Sequence, residues 1–279
     1  MKVDFHIHTT ASDGFFNAAQ ICKKAEEAKL SGIAITDHDT VEGLKEFELL
    51  QKQHGNLTIV PGIEIGSYWK DCDIHILGYN INHNLNWLHD YLHSLQESRI
   101  KRIEKIISKL NKLGYHIDFS DVLATKEKDS GSIGRPHVAK ALISKGYFSD
   151  TQEVFSSLLE AGKPAYVPRK KITPFEAIEV VLNAGGVPVL AHPGLSLKNK
   201  HEVVFELIKN GLLGIEVYYP LHSTETVEFY KGIAEKHDLI ITGGSDFHGY
   251  EGDELGKCFV DYSIILEIYK RSQNNGQQR

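Results

Sequence analysis

Cysteine is scarce in this chain. Cys22, Cys72 and Cys258 are its three, they are scattered, and an odd number cannot pair completely. None forms a zinc-type CxxC, and such usage suits a reducing compartment, so a cytoplasmic protein is expected. No run approaches the roughly 20 apolar residues of a membrane span, which excludes helical membrane insertion. An excess of positive charge is missing too: 31 Lys and Arg stand against 37 Asp and Glu, a formal net charge of −6. That balance excludes coating of long double-stranded nucleic acid through a basic surface. It leaves small nucleotides and short oligonucleotides open, because bound metal supplies local positive charge. No signal peptide and no fixed-period repeat is visible, and no protein partner is expected.

What is present is an alternation of short β-like runs with amphipathic stretches. Strands are expected near 3–8, 33–36, 58–65, 74–79, 187–191, 214–218, 239–242 and 257–260. Helices are expected at Asn17 to Leu30, Val41 to Gln53, Lys200 to Asn210 and Thr224 to His237. Alternation of this kind implies right-handed βαβ units. Residues 84–162 differ: helix patterns dominate, from a long apolar stripe between Leu85 and Leu110 that Gly114 ends to shorter helices at Arg135 to Lys145 and Thr151 to Ala161. The expected organisation is therefore a barrel domain of residues 1–83 and 163–279 carrying a helical insertion, residues 84–162. The polar tail Ser272 to Arg279 is expected to fray.

Histidines and carboxylates recur just beyond the apolar runs. His6 and His8 follow Val3-Asp4-Phe5, with Asp13 close behind; His38 follows Gly32 to Asp37; Glu64 ends Leu57 to Ile63. His75 sits in Asp73-Ile74-His75-Ile76-Leu77, His192 closes Val187 to Ala191, and Asp246 and His248 close Leu239 to Ser245. One histidine beside an apolar run is ordinarily a hydrogen-bonded core residue. Repetition on separate segments reads differently, because buried ionisable groups are costly unless paired or metal-bound. On a strand, residues i and i+2 face the same way, so His6 and His8 can reach one ion. Imidazole nitrogen and carboxylate oxygen together suit Zn, Mn or Fe.

Inside the insertion, Gly134-Arg135-Pro136-His137 carries a helix-start signal at Pro136. Arg135 and His137 would flank a helix N-terminus, where a guanidinium and free N–H groups make a phosphate site. A surface salt bridge and a solvent-facing histidine are the plainer reading of the same tetrapeptide.

Asp4-Phe5-His6-Ile7-His8-Thr9, Ser12-Asp13-Gly14, Ile35-Thr36-Asp37-His38-Asp39, Pro61-Gly62-Ile63-Glu64, His75-Ile76-Leu77-Gly78-Tyr79, Leu190-Ala191-His192-Pro193-Gly194 and Gly244-Ser245-Asp246-Phe247-His248 together resemble the PHP family, the polymerase and histidinol phosphatase domains. The insertion segment around Arg135 is similar to a subgroup that removes the 3′-phosphate of nucleoside 3′,5′-bisphosphates and trims short 5′-phosphorylated RNA. The resemblance implies a distorted (β/α)7 TIM-like barrel with its ligands at the C-terminal strand ends. It implies three divalent ions, Mn first, with Zn or Fe as alternatives. His6, His8, Glu64 and Asp246 would hold one ion; Glu64, His75 and His192 a second; Asp13, His38 and His248 a third. Paired metals would then generate a hydroxide nucleophile from water at neutral pH. Glu64 and Asp246 would serve the chemistry, with Arg135 and His137 binding the phosphoryl group. A histidinol-phosphate-type phosphatase, an amidohydrolase-like metal hydrolase and a metal-stabilised scaffold are the competing readings. Those amidohydrolases commonly place a lysine between two metals, whereas the matching position here is Glu64.

Overall fold

The computed structural model describes residues 1–125, 133–160, 162–168, 172–197 and 200–277, so Ala161, at the expected end of one helix, lies outside the described residues. Two compact units are present, Met1–Asp90 with Lys171–Arg279, and Tyr91–Lys170.

The first unit is a nearly closed barrel. Its strands are β1 (Lys2–Ile7), β2 (Gly32–Ile35), β3 (Thr58–Trp69), β4 (Cys72–Tyr79), β5 (Val187–Leu190), β6 (Gly214–Tyr218), β7 (Ile240–Gly243) and β8 (Val260–Asp261). They form one sheet in the order β7-β6-β5-β4-β3-β2-β1-β8. Pairing is parallel from β1 to β3 and from β5 to β7, while β4 runs against both its neighbours. The expected βαβ alternation is thus interrupted. β3 and β4 form a hairpin whose turn residues, Lys70 and Asp71, both sit at positive φ, 47° and 60°. Turns of that hand ordinarily announce themselves through Asn and Gly, and neither residue is here.

Short parallel strands buried on both faces read as continuous apolar runs, as Gly32-Ile33-Ala34-Ile35 does. The inward side chains meet across the barrel. Phe5 of β1 and Tyr79 of β4 pack edge to face with ring centroids 5.1 Å apart. Val3, Phe5, Ala34, Val60, Leu77, Tyr79, Val187, Val189 and Ile240 share one buried cluster with Ile265 and Ile268. Each fully buried aliphatic or aromatic side chain there contributes about 1.5–3 kcal/mol relative to exposure. The wall closes where Ile7 bridges Phe247: the His8 N–H donates to the Phe247 carbonyl at 2.9 Å, and the Phe247 N–H to that of His6 at 3.2 Å. Gly244 is required at this seam, since a Cβ there would lie 2.4 Å from His6 Cβ and 2.5 Å from its backbone nitrogen.

Among the described residues the helices are α1 (Ala18–Glu27), α2 (Phe47–Gln53), α3 (Asn86–Lys112), α4 (Phe119–Ala124), α5 (Arg135–Ser144), α6 (Thr151–Val154), α7 (Pro174–Asn183), α8 (Pro193–Ser196), α9 (Glu202–Lys209), α10 (Thr224–Lys236) and α11 (Ser263–Gln277). α1 starts where a reciprocal Asn17–Gln20 capping box satisfies two backbone donors. The helix expected from Val41 is split into a 3₁₀ turn, Glu42–Leu44, and α2. Gly43 packs onto the Asp37 carboxylate there, with no space for a side chain. The tail expected to fray is helical to Gln277, and the Asn80 amide fixes it by donating to Ser272 Oγ at 2.7 Å. No helix among the described residues is long and apolar enough to cross a membrane.

The second unit has a core of its own. Ile103, Ile106 and Leu110 of α3 pack with Val122, Val138, Leu142, Val154 and Leu158. After α6 the chain widens into a π turn, Phe155–Leu159.

Candidate metal centre

β1 carries an irregularity in its pairing with β2 between Asp4 and Ile7, the kind of local bend that re-aims side chains at active sites. His6 leaves that bend and His8 follows the strand end, and both rings are completely buried. His6 Nε2 lies 3.3 Å from Glu64 Oε2 and 3.3 Å from Asp246 Oδ1; His8 Nε2 lies 3.3 and 3.1 Å from the same two oxygens. None of these four buried atoms has a hydrogen-bond partner. Buried polar groups are almost always paired, so four that face one another unsatisfied require an explanation. A cation supplies it. Tetrahedral ligands about 2.1 Å from a zinc-like ion would be about 3.4 Å apart, close to the spacing seen.

Glu64 is the hub. Its Oε1 lies 2.8 Å from His75 Nδ1 and 3.2 Å from His192 Nε2, and its Oε2 lies 3.0 Å from His38 Nδ1. Burial alone would raise the Glu64 carboxyl, but His38, His6 and His75 around it hold it well below the usual carboxylate range. The His6 imidazole shows the converse: burial disfavours its charge, yet Glu216, Asp246 and Glu64 lift it well above the ordinary histidine value. Protons and metal cations are interchangeable as partners for such a charge pattern. His8, Asp13, His38 and His248 form a further group whose ligand atoms lie within 4.8 Å of one another. His8 enters it through Nδ1, 3.6 Å from Asp13 Oδ1. A neutral imidazole has a single lone pair, so His8 can serve only one of these two groups; His38, Glu64 and His75 make a third.

All nine expected ligands therefore meet in the barrel unit. The strand-end expectation needs one correction. Glu64 lies within β3 and His75 in the first half of β4, and because β4 is reversed its beginning reaches the same end of the barrel as the other strands' ends. Two ligands hold uncommon backbones, His192 at φ 26° and Asp246 at φ 53°; such strain persists where surrounding contacts over-determine it.

Several residues that hold these ligands escaped the sequence reading. Glu216 contacts the His6 ring and the His192 backbone. Asp37 accepts from the Thr9 N–H at 2.7 Å, the Thr9 hydroxyl at 2.8 Å and the Ser12 hydroxyl at 2.5 Å, fixing the loop that carries Asp13. Asp4 accepts from the Ser245 N–H and hydroxyl at 2.9 and 2.5 Å, anchoring the Asp246 loop, and burial pushes its carboxyl up to about 6. The Tyr219 hydroxyl donates to Asp246 Oδ2 at 3.0 Å. The available signal was an acid inside an apolar run, as in Gly214-Ile215-Glu216-Val217, but its partner cannot be named from sequence. An open cavity of about 320 Å³ lies against this cluster, bordered by Asp73, His75, His192, Leu195, Tyr219 and Asp246.

Arg135 and His137 belong to the second unit. Arg135 Nη1 donates to the Leu159 carbonyl at 3.1 Å and its guanidinium stands 5.6 Å over the Phe155 ring. The Gly134 N–H donates to His137 Nδ1 at 3.1 Å, closing the first turn of α5.

The sequence profile of the PHP domain matches residues 4–165. The 5'-3' exoribonuclease Rnm of Escherichia coli (strain K12) is 33% identical, over 99% of this chain and 96% of that protein. The 3',5'-nucleoside bisphosphate phosphatase of Chromobacterium violaceum is 29% identical, over 91% and 90%. A crystal structure from Bifidobacterium adolescentis, described as a metal-dependent phosphoesterase, superposes with a TM-score of 0.81 at 32% identity, covering 96% of each chain.

Proposed function

The chain belongs to the PHP domain family, and from that membership we propose that it removes the 3′-phosphate of nucleoside 3′,5′-bisphosphates and trims short 5′-phosphorylated RNA. Hydrolysis of a phosphoric ester is the activity that the family and these relatives support. The observation that carries the reading at the site is the set of buried, unsatisfied nitrogen and oxygen atoms of His6, His8, Glu64 and Asp246 beside an open cavity.

His6, His8, Glu64 and Asp246 would hold one divalent ion; Glu64, His75 and His192 a second; Asp13, His38 and His248 a third. Bound ions supply Lewis acidity and make water acidic enough to ionise near neutral pH. The protein's own groups prepare the ground for that chemistry. Glu64 presents one oxygen to each side of the cluster and so bridges it. Tyr219 restrains Asp246 through Oδ2, which leaves Oδ1 turned toward the histidines. Leu195 and Tyr219 border the cavity beside the cluster. Mixed oxygen and nitrogen ligands suit Mn, Zn and Fe alike, and the family resemblance puts Mn first.

Arg135 and His137 are the proposed phosphate-contacting pair. What supports this is chemistry: a guanidinium fork matches phosphate oxygens bidentately in a way that lysine does not. The test is a substrate panel with Mn: a nucleoside 3′,5′-bisphosphate, 5′-phosphorylated oligoribonucleotides, histidinol phosphate, p-nitrophenyl phosphate and a dihydroorotate-like amide. Faster release of phosphate from the bisphosphate is expected, and turnover of the amide alone would overturn the reading. Arg135→Ala should cost about 1.5–3 kcal/mol, roughly 10- to 150-fold in kcat/KM, on the bisphosphate. A loss confined to the bisphosphate would place Arg135 on its non-reacting phosphate, and an equal loss on p-nitrophenyl phosphate would place it on the reacting one.

A further inference from the structure

Glu216 lies on β6 in an otherwise apolar strand, and nothing of it is exposed. An acid so placed is costly unless both oxygens are occupied. Both are. Oε1 accepts from His6 Nδ1 at 3.0 Å, and Oε2 accepts from the His192 backbone N–H at 2.8 Å. His6 belongs to the group with His8, Glu64 and Asp246, and His192, which contacts Glu64 Oε1, belongs to the second site of the proposed assignment.

We infer that Glu216 is the positioning residue that holds two metal sites in register, by fixing the His6 ring through one oxygen and the His192 turn through the other. The inference rests on the reading of this cluster as a metal centre, not on which ester is cleaved. Two consequences follow from the bonding. With Nδ1–H committed to Glu216, the lone pair of His6 must lie on Nε2, the atom that faces Glu64 and Asp246. The second oxygen restrains His192 at a backbone angle, φ 26°, that an ordinary residue leaves readily. Without that acceptor the turn before Pro193 can relax and carry the imidazole away from Glu64.

The requirement is for a carboxylate, not merely for a polar group of that size. Both neighbours of Glu216 are donors, and glutamine offers one acceptor and one donor. Set with its NH₂ toward His6, glutamine would oblige Nδ1 to accept, moving the ring proton to Nε2 and blocking the ligand atom. Set the other way, its NH₂ would confront the His192 N–H. Glu216→Gln keeps the volume and fails in either orientation.

Ser196 provides the contrast. Its hydroxyl lies 2.9 Å from His192 Nδ1 and touches nothing in the His6 group. The experiment is calorimetric titration of metal-depleted wild type, Glu216→Gln and Ser196→Ala with Mn, with the thermal unfolding of each metal-depleted protein measured alongside. Glu216→Gln is expected to unfold cooperatively and to lose roughly 10- to 100-fold in affinity at two classes of Mn site. Ser196→Ala should weaken one class. Wild-type affinity and stoichiometry in Glu216→Gln would overturn the proposal, and so would a loss confined to one class. If Glu216→Gln does not fold, Glu216→Asp, whose shorter arm cannot reach both donors, is judged by the same criteria. A wild type that binds Mn in this pattern but cleaves no phosphate ester would reject the proposed function and leave this inference standing.

Discussion

The two ends of the histidine cluster are built differently. At the His6 end three of the four candidate ligands are sealed, the side chains of His6 and His8 being 0% exposed and that of Glu64 1%, while Asp246 is 19% exposed. They are steered by other side chains, Glu216 on His6 and Tyr219 on Asp246. At the Asp13 end, exposure rises to 49% for Asp13 and 21% for both His38 and His248. The contacts there involve the main chain: His248 Nδ1 donates to the Asp246 carbonyl at 2.8 Å, and the Tyr250 hydroxyl to that of Asp13 at 2.9 Å. A sealed ligand set excludes competing water and loses little freedom on binding, whereas an exposed one must displace solvent and order its side chains. The contrast predicts an order of affinity: the ion at the sealed end is held and the ion at the open end exchanges.

Breaking the sealed end should have the largest effect. His8→Ala or Asp246→Ala should lower kcat/KM on the bisphosphate by more than about 1,000-fold, the several kcal/mol that a lost ion removes from transition-state stabilisation. Added Mn should not restore it, and the circular dichroism spectrum should be unchanged. Full activity in either variant would mean that the sealed group is not the reaction centre. Chelation is the next largest. A ligand at 100 times its Kd stabilises a fold by about 2.7 kcal/mol, so stripping the sealed ion should lower Tm by roughly 5–10 °C for a unit of this size. A Tm indifferent to chelator would remove the basis for the sealed end's tighter grip. The open end should give the smallest effect. Asp13→Asn should cost about tenfold in kcat/KM, near 1.4 kcal/mol, and excess Mn should recover most of it. Failure of Mn to rescue Asp13→Asn would make the two ends alike.

Much of this centre was legible because ligands have few substitutes. His6-Ile7-His8 places two imidazoles on one side of a strand, and Asp246 and His248 stand beyond an apolar run, so residue type and position argue together. The supports were illegible for a physical reason. Glu216 is recognisable as an acid in an apolar strand, but the register of β6 against β5 and the closure of β1 on the Phe247 segment decide which donors it meets. β4 was read as a strand while its direction was missed, because Lys70 and Asp71 take the positive-φ turn without glycine or asparagine. α7 was absent from the reading although Thr173-Pro174-Phe175-Glu176 carries a capping box, with the Glu176 N–H donating to Thr173 Oγ1 at 3.2 Å.

The seam between β1 and the Phe247 segment has a consequence for biosynthesis. Asp4 and Ser245, which meet there, are separated by 241 residues. At about 5–20 residues per second, a ribosome needs roughly 12–48 s to travel that distance. For most of that interval His6 and His8 exist in a nascent chain that lacks Glu216, and until its end they lack Asp246. An ion held by His6, His8, Glu64 and Asp246 together would therefore be captured only once the beginning and the end of the chain have met.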